Sequence, residues 1–264
     1  MKHLFLTWFG QSGFIIRSRE TTIACDLYLS DYCRKKSRLD HTRLMPIPVE
    51  PESLNNIDHY LITHSHIDHF DPETIGPILA AGPKTRFYCP PEASRIVNEH
   101  FPEYENRFHR LKSFQKYKLR DDISLIALPA AHEELEKDSD GEYIAFSYLT
   151  LFDDLKKAVF FAGDTIPFTG QAEMIRKHVP DNYELVLVLP VNGRDAERAA
   201  LGFKGNLTLA EAVSLYHGCK ADLLIPCHFG MFELNNAKEE ISERVFRETR
   251  CKAAVPEVMK GILI

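Results

Sequence analysis

Three histidines and an aspartate lie within six residues, in the run THSHIDH at residues 63–69. His64 and His66 are two residues apart, so in an extended segment both imidazoles leave the same face of the chain and can bind one divalent cation. Asp68 and His69 follow after the chain begins to turn, so they can face a second position nearby. Because three of the chain's 12 histidines lie here beside an aspartate, a metal site is favoured over an exposed polar loop.

The elements around this run predict its place in a fold. Residues 60–62 are apolar and predict a short buried strand. Asp71-Pro72-Glu73 predicts a helix start, with aspartate as the N-cap, proline at the first helical position and an acid in the first turn. The run is therefore expected on a loop at the end of a strand, where α/β folds place their chemistry.

Three further polar residues follow apolar runs that predict strands: His132 after residues 125–129, Asp164 after residues 158–162, and His228 after residues 222–226. A single polar residue at such a position usually marks only the point where a strand leaves the core. Together, however, these imidazole and carboxylate groups supply a ligand set. Imidazole suits zinc, iron, nickel and copper, and carboxylate extends the range to manganese.

The run THSHIDH after an apolar strand resembles the signature of the metallo-β-lactamase superfamily, and the later groups match its remaining metal motifs in order. The resemblance extends from Trp8 to His228. It implies an α/β fold, a four-layer αββα metallo-β-lactamase sandwich of two mixed sheets flanked by helices. It also implies two divalent metal ions, zinc or manganese. The ligands implied for one ion are His64, His66 and His132, and those for the other are Asp68, His69 and His228, with Asp164 bridging.

The resemblance also implies hydrolytic chemistry. Two cations about 3.5–4 Å apart lower the pKa of a shared water and make hydroxide available near neutral pH. They also stabilise the oxyanion formed when hydroxide attacks a carbonyl or phosphoryl centre. In the superfamily the residue matching Asp68 can both bind metal and hold the nucleophilic water, so Asp68 is the catalytic candidate. Asp26, at the end of a predicted strand, is interpreted equally as an acceptor that orients a ligand histidine or as a turn residue.

Three later runs, residues 189–195, 205–212 and 225–232, are similar to the L-ascorbate-6-phosphate lactonase group and its relatives. This similarity implies a small anionic substrate, such as a phosphorylated sugar lactone or an ester. Arg194 could bind such an anion bidentately and Asn192 could hydrogen-bond it, although Asn-Gly-Arg-Asp is also good turn chemistry. Gln11 stands where the superfamily often has histidine, and it is expected to touch no metal ligand.

The remaining elements predict α/β layers. Residues 3–29 predict three strands of an antiparallel meander, and helices alternate with strands after residue 72. Residues 30–56 differ, because the basic run 34–38 and the proline-rich run 45–51 disfavour regular structure. A connection this long is often functional, so the segment is interpreted as a lid or insertion, with Arg34 and Arg43 as further anion-binding candidates, or as a solvated surface loop.

Composition bounds the class of protein. The 264 residues are 44% hydrophobic and 27% charged, and no linker divides them, so we expect one domain spanning 1–264. The net charge of −6 argues against generic affinity for nucleic acid or anionic membranes. Six cysteines form no C-x-x-C pair, and no signal peptide or membrane-spanning run is evident, so free thiols and a cytoplasmic location are expected. The sequence leaves open whether the chain forms a homo-oligomer.

Three functions follow from these observations. The first is a dinuclear metal-dependent hydrolase, in which metal-bound hydroxide attacks the carbonyl of a small anionic lactone or ester. The second is a metal-dependent phosphodiesterase of the same superfamily. The third is a non-catalytic metal-binding sensor, which the complete ligand set disfavours because a sensor has no need for a pair of water-activating ions.

Overall fold

The computed structural model describes residues 3–264, and within them the strands form two mixed sheets. The seven-stranded sheet has the order β13-β1-β2-β3-β4-β5-β6, antiparallel from β13 to β3 and parallel from β3 to β6. Its strands are β1 (Phe5–Trp8), β2 (Phe14–Arg17), β3 (Thr22–Cys25), β4 (His59–Leu61), β5 (Arg86–Cys89), β6 (Phe108–Arg110) and β13 (Gly261–Leu263).

The six-stranded sheet has the order β12-β11-β10-β9-β8-β7, with β10 to β12 parallel and β7 to β10 antiparallel. All seven residues of β8 and of β9 are buried, so these central strands are covered on both faces. The strands are β7 (Lys116–Arg120), β8 (Ile123–Pro129), β9 (Phe146–Phe152), β10 (Lys157–Phe161), β11 (Glu184–Pro190) and β12 (Leu223–Cys227).

Seven α-helices are found among the described residues, and the longest has 11 residues. They are α1 (Tyr32–Lys36), α2 (Pro72–Ala81), α3 (Ser94–His100), α4 (Gln171–Lys177), α5 (Ala196–Ala200), α6 (Leu209–Cys219) and α7 (Glu243–Glu248). Short 3-10 helices cover Pro51–Ser53, Pro91–Ala93 and Pro102–Arg107. Helix α2 begins as predicted, because the Asp71 carboxylate accepts the Glu73 backbone N–H. None of the described helices combines the length and the hydropathy needed to span a bilayer.

The alternation of side chains along the strands creates the layers. In β4, Leu61 packs into the cluster between the two sheets, whereas its neighbour Tyr60 packs outward against Ile75 of α2. In β10, Phe161 likewise faces the space between the sheets and Phe160 faces the cluster that includes α6. Helices therefore cover the outer face of each sheet, and the predicted sandwich of two mixed sheets flanked by helices is confirmed.

The expectation that residues 30–56 lack regular structure is wrong in part. Helix α1 forms within the basic run because Tyr32 and Cys33 are buried in a cluster with Tyr28 and Phe232, while Arg34 to Lys36 occupy its exposed last turn, where cations favour the helix dipole. Further along, the Leu44 N–H donates to the Met231 carbonyl at 2.8 Å. The segment therefore packs against the rest of the protein through α1 and through the hydrogen bond of Leu44.

Helix α3 begins at Ser94, because residues 91–93 form a 3-10 turn, and strand β9 begins at Phe146. All six cysteines are free and buried.

Candidate metal centre

The seven predicted ligands converge at the ends of strands from both sheets. The loop after β4 carries four of them, His132 follows β8, Asp164 follows β10 and His228 directly follows β12. Two hydrogen bonds join the sheets beside this loop: Tyr148 Oη donates to the Ile62 carbonyl at 2.7 Å, and the Phe146 N–H donates to the Thr63 carbonyl at 2.9 Å. The fold therefore holds the loop of one sheet against β9 of the other.

The side chains form two groups, and within each group one ligand atom per residue lies within 4.8 Å of every other. One group is His64, His66, His132 and Asp164, and the other is Asp68, His69 and His228.

Asp164 lies between the two groups. Its Oδ2 is 3.2 Å from His132 Nε2, whereas its Oδ1 is 3.2 Å from His69 Nε2 and 3.3 Å from His228 Nε2. One carboxylate thus turns one oxygen toward each group, which is the arrangement that a bridging ligand requires.

Unsatisfied buried atoms test whether this cluster fits metal ions. His64 Nε2, His69 Nε2 and Asp164 Oδ1 are buried and form no well-aligned hydrogen bond within residues 3–264, although His69 Nε2 and Asp164 Oδ1 lie 3.2 Å apart. A buried polar atom without a partner costs about 1–3 kcal/mol, and three of them face one another in this cluster. Nitrogen and carboxylate ligands to a divalent cation would satisfy all three, so the residues fit the metal ions that the sequence predicts.

Hydrogen bonds to the opposite ring nitrogens fix the histidines. Asp26 Oδ2 lies 2.7 Å from His69 Nδ1 and accepts the Thr63 hydroxyl at 2.6 Å. Thr63 Oγ1 in turn lies 3.0 Å from His64 Nδ1, and the Gly205 carbonyl lies 3.1 Å from His132 Nδ1. These contacts occupy the Nδ1 atoms, so the Nε2 atoms of the three rings face the cluster. Asp26 therefore contacts a predicted ligand and also holds the backbone N–H of Thr63.

The backbone is constrained at the same place. Asp26 and His228 adopt positive φ angles of 45° and 61°, which non-glycine residues seldom do. Gly163 has a φ of 61°, and a Cβ there would lie 2.7 Å from the Thr63 Cβ. A glycine before Asp164 is therefore required both by the conformation and by the close approach of Thr63.

The electrostatics separate the histidines into two kinds. Burial and neighbouring histidines hold the pKa of His64 well below its usual value, and burial with His132 lowers the pKa of His66 to about 4. Burial also opposes a charge on His228, but Asp164 and Asp68 outweigh it and raise the pKa of His228 to about 9. The same carboxylates raise the pKa of buried His69.

The carboxylates respond in the opposite direction. Burial opposes ionisation of Asp68 and Asp164, but the histidine charges around them keep the pKa of each carboxyl well below its usual range. Without metal, Asp68 and Asp164 therefore favour the protonated forms of His69 and His228. A divalent cation would replace those protons.

The expectation that Gln11 touches no metal ligand is wrong. Gln11 Nε2 donates to Asp68 Oδ2 at 2.9 Å and lies 3.0 Å from His228 Nε2. A tight turn, in which the Gly13 N–H donates to the Gly10 carbonyl, gives Gln11 a φ of 49°. The Gln11 carbonyl also accepts the His228 N–H at 3.0 Å. Gln11 therefore orients Asp68, a contact that only the packing of distant segments creates.

The structure does not present Arg194 as a free anion clamp. Its two terminal nitrogens donate to the two Glu211 carboxylate oxygens, both at 2.6 Å, and Nη1 also donates to the Asn206 carbonyl. Asn192 is buried and donates from Nδ2 to Asn235 Oδ1 at 3.0 Å. Arg43 likewise uses its guanidinium on the Tyr28 and Ser30 carbonyls.

A cavity of about 180 Å³ opens beside the two groups. Residues from three distant segments line the cavity together with the ligands: Cys33, His41, Phe203, Lys204, Phe232 and Asn235. None of these six was predicted from the sequence as part of the site. The run Gly-Phe-Lys-Gly between α5 and α6 is the feature of the sequence that could have indicated Phe203 and Lys204.

Comparisons with known proteins agree with this fold. A family model described as the Beta-lactamase superfamily domain matches residues 25–229, so the chain belongs to the metallo-β-lactamase superfamily. Membership implies divalent metal cofactors. The chain is 26% identical over 235 residues to a UPF0173 metal-dependent hydrolase of Oenococcus oeni, a match that covers 86% of each protein.

Two further proteins are similar to this chain. A metallo hydrolase of the archaeon Ignicoccus hospitalis has the same fold, with a TM-score of 0.71, 19% identity and coverage of 100% of this chain and 99% of that one. An N-acyl-phosphatidylethanolamine-hydrolyzing phospholipase D of Caenorhabditis elegans is 23% identical over 167 residues, which are 61% of this chain and 47% of that protein.

Proposed function

We propose that this protein hydrolyses a small anionic ester or lactone with two divalent ions, zinc or manganese, one in each ligand group. The protein is a metal-dependent hydrolase of the metallo-β-lactamase superfamily. The observation that carries the dinuclear proposal is Asp164, which turns Oδ2 toward one group and its buried Oδ1 toward the other.

Each residue has a definite part in this proposal. When bound, two such ions supply an activated water near neutral pH and offset negative charge at the reacting centre. Asp68 lines the cavity and is the most exposed aspartate of the site, at 18% of its side chain. We assign Asp68 to hold the attacking water and accept its proton, while Gln11 fixes the orientation of the carboxylate.

The proposed anionic group of the substrate has a counter-charge in the cavity. Lys204 lines the cavity, and its nearest carboxylate, the mostly exposed Glu133, lies 3.7 Å away. Lys204 is therefore a better candidate to receive an anion than Arg194, whose donors are held by Glu211. Asn192 and Arg194 keep a part in the proposal as residues beside an adjoining cavity, which Arg194 lines.

A phosphodiester is the second candidate substrate. The similarity to a phospholipase D supports it, because that protein is named for hydrolysis of a phospholipid. Two cations can stabilise the attacking and leaving oxygens at phosphorus as well as at a carbonyl. The ligand groups therefore suit both reactions, and the choice between them depends on the cavity.

A metal analysis followed by a hydrolase panel tests the proposal. Purified protein is expected to hold up to two divalent ions by elemental analysis, and to hydrolyse a lactone or carboxylic ester in preference to phosphodiesters and thioesters. The double variant His66→Ala/His228→Ala, which removes one histidine from each group, is expected to lose both metal and turnover.

Stoichiometric metal in that variant would refute the site assignment, whereas turnover of phosphodiesters alone would favour the second candidate. Tight metal and ligand binding without any turnover would favour a sensor.

Compartment and partners belong to the proposal as well. Six buried cysteine thiols suit the reducing cytoplasm. The net charge of −6 disfavours nucleic acid as a partner and suits a small-molecule substrate. Self-association of the chain stays a proposal that sedimentation would test.

A further inference from the structure

A second, larger cavity of about 360 Å³ adjoins the metal cavity. The two cavities share four lining residues: His132, Phe203, Lys204 and Asn235. One of the shared residues, His132, belongs to the first ligand group. A molecule with its reacting bond beside that group could therefore extend directly into the larger cavity.

The larger cavity has an apolar wall made by Ile166, Phe203 and two alanines of α5, Ala196 and Ala199. Pockets that bind organic ligands typically combine such walls with a few polar groups that fix orientation. The alanines are exposed toward this space, so the room in the cavity depends on their small side chains.

The cations around this cavity are already neutralised. Arg194 pairs with Glu211 through two hydrogen bonds, and Arg198 Nε donates to Asp195 Oδ2 at 2.8 Å. Arg198 Nη1 also donates to the Asn192 carbonyl at 2.7 Å. Of the three cationic side chains in the lining, Lys204 has the loosest pairing, and it lies at the junction of the two cavities.

The wall is also built to keep its shape. Helix α5 is capped by Asp195, whose carboxylate accepts the Arg198 N–H at 2.9 Å, and the buried Arg198 side chain fastens the helix to the core. The Phe203 ring lies 5.5 Å from the His41 ring on the side of the metal cavity. Helix α5 is therefore held in place beside the larger cavity, and Phe203 belongs both to the apolar wall and to the lining of the metal cavity.

We propose that the larger cavity binds an apolar part of the substrate, of the size of a short acyl chain or a single aromatic ring, while the reacting bond lies in the metal cavity. This inference rests on the proposed hydrolase function and makes it more specific. The substrate class is an ester or lactone that carries its anionic group near Lys204 and an apolar substituent against α5.

A binding series tests this inference without requiring turnover. Acetate, hexanoate and phenylacetate share a carboxylate but differ in the apolar group. Titration calorimetry on protein saturated with Mn²⁺ is expected to give hexanoate and phenylacetate about tenfold tighter binding than acetate, because several carbon atoms leave water in the larger cavity. Equal binding of the three acids by the wild-type protein would overturn the proposal.

Substitutions on α5 locate the binding. Ala199→Trp fills the cavity and is expected to reduce the advantage of hexanoate over acetate to less than about threefold, and Ala196→Trp is expected to act in the same direction. Ala200→Trp is the matched control, because Ala200 is exposed on the same helix but does not line the cavity. If both variants at lining positions melt as the wild type does and keep the full advantage of hexanoate, the proposal is wrong.

Turnover separates this proposal from the proposed function. Wild-type protein is expected to hydrolyse hexanoyloxyacetate, an ester that carries a carboxylate, with a higher kcat/KM than acetoxyacetate, and Ala199→Trp should remove the difference. Absence of turnover on both esters, with chain-length-dependent binding intact, would count against the hydrolase proposal and support the cavity assignment. Turnover without chain-length dependence in either assay would support the hydrolase proposal and count against the cavity assignment.

Discussion

Asp164 joins the two ligand groups through opposite oxygens of one carboxylate. It is buried and carries its charge beside His69, His132 and His228. At the scale of single residues, this carboxylate would offset the mutual repulsion of the two cations in the proposed site, and the other candidate ligands would act within one group or the other.

Removal of the Asp164 carboxylate is therefore expected to break the pair of sites. Asp164→Ala should lose at least one ion per chain by elemental analysis and most of any turnover. Its far-UV circular dichroism should stay that of the wild type, because Asp164 follows β10 and is not part of it. Full metal content together with full turnover would reduce Asp164 to a residue that merely ends a strand.

Asp26 acts on the metal through His69. Because its Oδ2 lies 2.7 Å from His69 Nδ1, Asp26→Asn is expected to weaken metal binding about 10–100-fold, which is typical for loss of such a partner. Competition with a chromogenic chelator would measure this affinity. Asp71→Asn is the control, because Asp71 is also a buried carboxylate but binds Ser30 and the start of α2. Equal losses in both variants would contradict the role of Asp26.

Metal binding is expected to release protons. The pKa of His228 is raised to about 9 and that of His69 is raised as well, so both carry protons at pH 7 in the metal-free protein and must lose them to bind an ion. The apparent affinity for the metal ion should therefore increase as the pH is raised toward about 9 and decrease as the pH is lowered. His64 and His66, whose pKa values are lowered, release none at pH 7.

Calorimetry in buffers of different ionisation enthalpy would count these protons. About two should be released at pH 7 when the second group fills, and His228→Gln should reduce the number by about one. Binding that is independent of pH between 6 and 8 would contradict this assignment of charge.

At the scale of elements, the turn after β10 is held by the fit between Gly163 and Thr63. Ala at this position would adopt an unfavourable positive φ and would also clash with the Thr63 side chain. Gly170 also has a positive φ, 81°, but no atom lies within 4 Å of a Cβ built there. Alanine at either position would therefore carry the cost of a positive φ, but only alanine at position 163 would also clash with a neighbouring side chain.

Gly163→Ala is expected to lower the free energy of unfolding by about 1–3 kcal/mol more than Gly170→Ala, because the clash adds to the backbone strain. Urea unfolding of the metal-free proteins would measure both. Equal destabilisation would mean that Thr63 moves aside at no cost. Gly163→Ala should also lose metal, since Thr63 lies beside His64 and Asp26.

At the scale of the whole molecule, the metal centre stands where the two sheets meet. The loop after β4 belongs to one sheet, and Asp164 and His228 belong to the other. Ions that bind both sheets in the native state, and neither in the unfolded chain, stabilise the fold in proportion to the logarithm of their concentration.

Removal of metal is accordingly expected to lower the melting temperature. With metal at about 100 times its dissociation constant, the stabilisation is about 2.7 kcal/mol per site. Differential scanning calorimetry with and without a chelator would measure the shift. Asp164→Ala should show a smaller shift than the wild type, and an unchanged melting temperature in the wild type would argue against ions that join the sheets.

The residues of the site could be predicted from the sequence because their signals are local. The spacing of His64, His66 and Asp68 and the apolar runs before His132, Asp164 and His228 are readable within a few residues, since a strand of period two and a helix N-cap are set by neighbouring side chains. The α/β layers followed from the same patterns, whereas the sandwich of two mixed sheets flanked by helices was implied by the resemblance to the superfamily.

The partners of those residues were decided by the tertiary structure alone. Gln11 hydrogen-bonds to Asp68, which is 57 positions away in the sequence, and Arg194 pairs with Glu211 instead of facing a substrate. Residues 30–56 pack against the rest of the protein. The cavities that Phe203 and Lys204 line exist because the fold places α5 opposite His132 and Ile166. Such contacts join residues far apart in the chain, and their geometry is fixed by packing of the whole core, which no local pattern of residue types encodes.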